Sequence, residues 1–130
     1  MSKGNNKMRD IFFVTKEPMS LEYCFEAISK VYKSADTGIG VICLDRPAPK
    51  SAYMWFPSLK KYEPGEVWEE DDLKDIPEDY NYFTNLEYHL SCVSKNFVRA
   101  LRPLYPDMLI QDGDSKVYTI EEYLNCKFDH

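Results

Sequence analysis

The stretch GEVWEEDDLKDIPED, between Pro64 and Tyr80, most limits what this chain can fold into. Glu66, Glu69, Glu70, Asp71, Asp72, Asp75, Glu78 and Asp79 are eight acids against the single base Lys74, a local charge of −7. The whole chain of 130 residues carries −6, so everything outside the stretch nets +1. All the excess negative charge therefore sits in residues 64–80, read as an acidic segment connecting two folded blocks.

A chain of this length has the size of one domain and can bury roughly two thirds of its unfolded surface. Apolar residues at 44% and aromatics at 15% set it apart from chains too polar to fold. A pI near 4.9 argues against nucleic acid or an anionic membrane as partner, because both select clustered Lys and Arg; a basic protein is the partner the charge favours. After Lys3, Lys7 and Arg9 no apolar signal region follows, since IFFVT is broken at once by Lys16, Glu17 and Pro18. No apolar run approaches the roughly 18 residues of a membrane span. The expected compartment is the cytoplasm. Cys24, Cys43, Cys92 and Cys126 include no Cys-x-x-Cys pair, so zinc and redox readings lack their ligand pair. They are read as reduced, mostly buried thiols.

Residues 1–9 are polar and read as a frayed end. Ile11-Phe12-Phe13-Val14 suits a buried strand. Ser20 is a good N-cap for a helix whose apolar positions, Leu21, Cys24, Phe25, Ile28, Val31 and Tyr32, recur at the helical period. Glu22 and Glu26 near its start and Lys30 and Lys33 near its end match the helix dipole. Residues 34–40 form a turn, IGVICL (39–44) a strand, and SAYMWF (51–56) a second strand paired antiparallel with it across Pro47 and Pro49. Beyond the acidic segment, residues 82–91 alternate as a half-buried strand, although Leu86, Leu90, Val93, Phe97 and Leu101 would also fit one long helix. The preferred reading is strand to about Ser91 and helix from Cys92 to Leu104, with Pro103 and Pro106 able to end it a turn early. Short strands at 108–111 and 116–118 flank Asp112-Gly113, and Thr119-x-x-Glu122 is a capping box for a last helix. The expectation is one α+β domain: a mainly antiparallel sheet of about five or six strands, two main helices and a short C-terminal helix.

No motif specifies catalysis. His89 and Cys92 are close in sequence, yet no orienting carboxylate accompanies them. The glycines of Thr37-Gly38-Ile39-Gly40 lead into an apolar strand, whereas a phosphate cradle leads into a helix. Asp112-Gly113-Asp114 lacks the oxygen spacing of a calcium loop, with Lys116 and Val117 at its middle. No cofactor and no metal are therefore expected. The acidic segment remains, and its plain reading is a solvated loop. Against this, its charge is concentrated and interleaved with Val67, Trp68, Leu73, Ile76 and Tyr80, residue types that include interface anchors. Aromatics set among carboxylates suit a basic cleft, so Glu66, Trp68, Glu69, Glu70, Asp71, Asp72, Asp75, Glu78, Asp79 and Tyr80 are the candidate partner-binding residues.

The C-terminal residues ALRPLYPDMLIQDGDSKVYTIEEYL resemble the ends of small bacterial immunity proteins of contact-dependent growth inhibition systems. These combine a helix, a Leu-Tyr-Pro-Asp type exit, a hairpin with a DG-like turn and a last capped helix. The resemblance covers the last third of the chain and carries no functional residue over. It implies a cytosolic inhibitor, without enzymatic activity, that neutralises one toxin domain, often a nuclease with a basic cleft. The alternatives are a structural or adaptor module whose acidic segment is only solvated, and a small enzyme using His89.

Overall fold

In the computed structural model of the chain, residues 8–44, 51–61 and 70–129 are described, except for the side chains of residues 70 and 71. Successive elements are β1 (Arg9–Thr15), α1 (Leu21–Ser29), β2 (Ser34–Asp36), β3 (Gly40–Cys43), β4 (Ala52–Trp55), β5 (Leu59–Lys60), α2 (Glu70–Leu73), β6 (Tyr82–Tyr88), α3 (Ser91–Leu101), β7 (Leu109–Gln111), β8 (Val117–Thr119) and α4 (Ile120–Asn125). The α+β class expected from the sequence is the one found. The antiparallel sheet is wider than expected, with eight strands among the described residues in the order β2-β3-β4-β6-β1-β7-β8, and β5 also pairing with β6.

The ladder at the middle joins β1 to β6 over seven residue pairs, from Arg9 opposite Tyr88 to Thr15 opposite Tyr82. Alternation along these strands gives the sheet two distinct faces. On the inner face Ile11, Phe13, Val41, Met54, Leu86 and Ile110 form one core with the apolar stripes of α1, α3 and α4. On the outer face Val14 and Phe83 begin a smaller cluster that includes Ile76. β4 and β5 run along the same edge of β6, and the register slips by two residues between them, where Pro57 offers no backbone N–H.

Helix α1 starts as its signals say, with the Tyr23 N–H donating to the Ser20 hydroxyl at 3.3 Å. It ends at Ser29, earlier than the apolar stripe suggested. Val31 and Tyr32 instead turn back on the Ile28 carbonyl, which leaves Val31 exposed and brings Tyr32 to 6.1 Å from Phe97. Lys30 and Lys33 therefore lie outside its last turn. Residues 34–40, read as a turn, contain β2, an edge strand without an apolar residue longer than alanine, held by pairing with β3. Gly38 supplies the turn proper, at φ 87° and with its N–H on Asp36 Oδ1.

In the C-terminal half, residues 82–88 are strand, and the helix after them runs from Ser91 to Leu101. Leu104, the expected last residue of this helix, lies exposed beyond its end. The Thr119 capping box is complete, with the Glu122 N–H on Thr119 Oγ1 at 3.1 Å and the Thr119 N–H on Glu122 Oε1 at 2.9 Å. In the hairpin before it, Asp112 Oδ1 accepts from the N–H groups of Asp114 and Lys116, and Ser115, not Gly113, takes the left-handed conformation at φ 66°. Two of the four thiols, Cys24 and Cys43, are buried, while Cys92 is exposed and Cys126 half-exposed. β1 begins at Arg9, inside the stretch read as frayed; residues 1–7 lie outside the described residues.

Two predictions follow from the core. A Cβ on Gly40 would sit 2.5 Å from the Met54 carbonyl oxygen and closer still to the Tyr53 ring. The backbone oxygen cannot rotate away, so Gly40→Ala is expected to cost about 1–3 kcal/mol in a urea-unfolding measurement. Burial raises the Cys24 thiol from an ordinary 9.0 to about 12, with a hydrogen bond to Tyr105 acting in the opposite sense. Its folded value lies above its unfolded one, so the stabilisation is complete below about pH 9 and is lost as pH rises through about 12. Unfolding free energies from urea titrations should fall above about pH 9 by up to about 1.4 kcal/mol per pH unit from this group, and Cys24→Ala should remove the decline between about pH 9 and 10. Above about pH 10 the buried Tyr88, Tyr118 and Tyr123, all raised mainly by burial, should add their own loss in both proteins.

Candidate docking face

The described part of the acidic segment is amphipathic. From Leu73, Ile76 is three residues on and Tyr80 four more, so all three turn to the same side and pack on the outer sheet face against Val14, Phe83, Leu109 and Val117. Ile76 is buried at 7% exposure, although less completely than Val14 and Phe83 beneath it. Single turns keep the spacing, with the Ile76 N–H on the Leu73 carbonyl and the Tyr80 N–H on the Pro77 carbonyl. Lys74, Asp75, Glu78 and Asp79 point the other way and are exposed.

Hydrogen bonds fasten this segment at both ends. The Gln111 amide donates to the Asp72 carbonyl at 2.5 Å, and the Ser115 hydroxyl donates to Asp72 Oδ1 at 2.5 Å. The buried Lys61 donates to the Pro77 carbonyl at 3.3 Å. The Tyr80 hydroxyl donates to the Asp107 carbonyl at 2.7 Å, and Lys16 lies 5.4 Å over the Tyr80 ring and 3.5 Å from Asp79 Oδ2. Both partners of that ion pair are exposed, so it contributes at most about 1 kcal/mol.

The candidate residues read from the sequence thus divide. Glu66, Trp68 and Glu69 lie outside the described residues, and Glu70 and Asp71 form the turn of α2 without described side chains. Asp72 and Tyr80 are engaged with the protein itself. Asp75, Glu78 and Asp79 stand in solvent, and among the described residues Asp75 and Glu78 make no ion pair. The packing role of Leu73, Ile76 and Tyr80 is legible only after the fact: their three-and-four spacing is a helical stripe interrupted by Pro77.

Beside this segment no other described element covers the outer face, and there the structure gathers residues not singled out from the sequence. Tyr53 and Trp55, two apart on β4, stack with ring centroids 4.0 Å apart and planes 21° from parallel. The Tyr53 hydroxyl shares a 2.6 Å hydrogen bond with Thr37 Oγ1, and the Trp55 indole N–H donates to Glu87 Oε1 at 2.8 Å. Glu87 faces Tyr53 on one side and Asp10 on the other in the strand register. Asp10 Oδ1 accepts from the Asn85 amide at 3.1 Å. The alternation of Tyr53 and Trp55 around Met54 was the available signal, since period-two spacing puts both aromatics on one face.

The remaining candidates gather less around them. His89 follows β6, half-buried, with the Arg9 guanidinium on its carbonyl at 2.7 Å; its Nδ1 has no hydrogen-bond partner, and among the described residues no carboxylate bonds to its ring. Among the described residues no His, Cys, Asp and Glu group is placed to hold a metal ion, and no helix is long and apolar enough to cross a membrane. A surface pocket between Thr15–Glu17 and Leu104–Met108 holds about 180 Å³, below the roughly 300–1,000 Å³ of small-molecule sites. No protein-family model matches the chain, and no curated protein or solved structure matches it significantly.

If the acidic segment is held by its apolar side, shortening Ile76 should release it locally. Ile76→Ala is expected to destabilise the fold by about 2–5 kcal/mol and to raise amide hydrogen exchange at residues 72–80 above that of the β1–β6 ladder. Equal exchange in both regions would show that the segment does not depend on this anchor.

Proposed function

We propose that this protein is an inhibitor of the immunity-protein kind, a binder without catalysis of its own, which in the cytoplasm occupies the basic cleft of a toxin domain, a nuclease being the fitting type. The observation that carries this reading is the way the acidic segment is held. Leu73, Ile76 and Tyr80 fix it to the outer sheet face while Asp75, Glu78 and Asp79 are turned to solvent. A fastened carboxylate loses less freedom on binding than one on a loose loop, so more of its attraction for a cation remains as affinity. A net negative charge on one face, three acids against Lys74, also steers a basic partner to the correct side. The likeness of ALRPLYPDMLIQDGDSKVYTIEEYL to the ends of immunity proteins of contact-dependent growth inhibition systems points the same way, and Glu66, Trp68, Glu69, Glu70 and Asp71 would extend the surface.

A structural or adaptor module is the second reading, favoured by the intramolecular work the segment already does in covering Val14 and Phe83. The two separate on charge alone. Among the described residues Asp75 and Glu78 make no hydrogen bond or ion pair, so the double variant Asp75→Lys/Glu78→Lys should melt like the wild type. For an inhibitor, its association rate with a basic toxin domain encoded beside it should fall about 10–100-fold at low salt, and the difference should shrink in about 0.5 M salt. An unchanged association rate and unchanged salt dependence, measured by surface plasmon resonance, would favour the adaptor.

A further inference from the structure

We infer that the open half of the outer face, centred on Trp55, Tyr53, Glu87 and Asp10, is an arginine-receiving patch that takes a guanidinium side chain presented by a basic protein partner. The inference rests on the inhibitor reading and names the chemistry of its second contact.

The patch is built to be rigid. Gly40 lies opposite Trp55 in the β3–β4 register, and its missing side chain lets the Tyr53 ring lie flat over the strand. Each ring is also held at its polar end, Tyr53 by Thr37 and Trp55 by Glu87. The stacked rings hide one face each against the other, so the pair presents the remaining face of Trp55 as a fixed π surface that binding need not order, as hot-spot anchors do. Trp55 nonetheless remains 38% exposed, unusual for a tryptophan with neighbours on a sheet face.

Its charge selects the occupant. Asp10 and Glu87 are direct partners in the β1–β6 ladder and project to the same side. Like charges directly opposite across two strands are unfavourable, and among the described residues no Lys or Arg pairs with either. A cation placed between Glu87 and the rings would relieve that repulsion. Of the two side chains able to supply it, Arg fits better, because a planar guanidinium stacks on an aromatic face while its edge donates two parallel hydrogen bonds to a carboxylate. Lys, a compact and strongly hydrated charge, can do only one of these well.

The patch shares its face with the fastened acidic segment. Asp10 and Val14, the latter covered by that segment, are four residues apart on β1, about 13 Å. One partner surface of ordinary size, about 800 Å² on each side, spans both.

The test titrates the full chain, labelled with ¹⁵N, with a hexa-arginine peptide, a hexa-lysine peptide and a hexa-glutamate control, following the Trp55 indole N–H resonance, identified by its loss in Trp55→Phe. Hexa-arginine should move this resonance to saturation, hexa-lysine should bind at least about fivefold more weakly, and Glu87→Gln should weaken the arginine peptide about tenfold without lowering the melting temperature. A resonance unmoved by hexa-arginine, equal affinity for the two cationic peptides, or an unaffected Glu87→Gln variant would each overturn the inference. With a basic toxin domain in hand, a loss of binding in Trp55→Ala supports the patch. If Trp55→Ala binds normally while Asp75→Lys/Glu78→Lys does not, the patch is excluded and the inhibitor reading stands. If the peptide results hold and charge reversal leaves toxin binding untouched, it is the inhibitor reading that fails.

Discussion

The pairing of β1 with β6 is the contact on which the rest depends. It joins strands 73 residues apart in register at Phe12 and Asn85, and it brings the block before the acidic segment against the block after it. Every other strand attaches to this pair directly or by way of those that do: β4 and β5 on the free edge of β6, with β3 and then β2 beyond β4, and β7 on the free edge of β1, with β8 beyond it. Closing so long a loop carries an entropic cost, which grows only slowly with length. It is offset on two sides at once, by Ile11, Phe13 and Leu86 within and by Val14 and Phe83 without. Because both faces bury apolar groups here, a one-residue slip would exchange the two sets and place Asp10 and Asn85 in the core. Register is therefore strongly specified.

The two faces meet different requirements. The inner face carries large, wholly buried side chains and is closed by three helices, with polar atoms there satisfied internally: Ser94 shares a 2.7 Å hydrogen bond with Tyr123, and Tyr118 donates to Asp112 Oδ2 at 2.9 Å. That second bond ties the hairpin turn to the core, so Asp112 serves as turn former and hydrogen-bond acceptor together. The outer face is closed over only part of its width, by a segment that combines three apolar anchors with most of its charge turned outward. A helix of any length would have covered more, but α2 is a single turn and Pro77 prevents its continuation.

Much of this was legible in the sequence where local chemistry and tertiary packing agree. The Ser20 cap, the strand around IFFV, the β3–β4 pair, and the Thr119 capping box each carry their own signal. Alternation at Leu86, Tyr88 and Leu90 favours strand over helix for residues 82–91, and the chain is strand over Tyr82–Tyr88, where Leu86 and Tyr88 face the helices, but Ser91 already opens α3. The misses lie where a neighbour decides the outcome. Ser34–Asp36 has no strand propensity to speak of and becomes β2 because β3 offers an unpaired edge. Val31 continues the periodic stripe yet falls outside α1, because Tyr32 is drawn to Phe97. The left-handed residue of the last hairpin is Ser115 because Asp112 fixes the turn around itself, so the glycine next to it signalled the turn without making it.

The acidic segment was the feature hardest to place from charge alone, because a charge run and an amphipathic cover look alike until something apolar is found beneath it. Leu73, Ile76 and Tyr80 are only three residues among many acids, yet they decide which way the acids point. Burial of Ile76 contributes roughly 1.5–3 kcal/mol on an area basis, whereas the exposed carboxylates of Asp75 and Glu78 make no hydrogen bond or ion pair among the described residues. Apart from Asp72, whose carboxylate holds Ser115, stability and charge thus reside in different side chains of one segment, so substitutions at Asp75 and Glu78 can change the charge of the face while the anchors keep it in place.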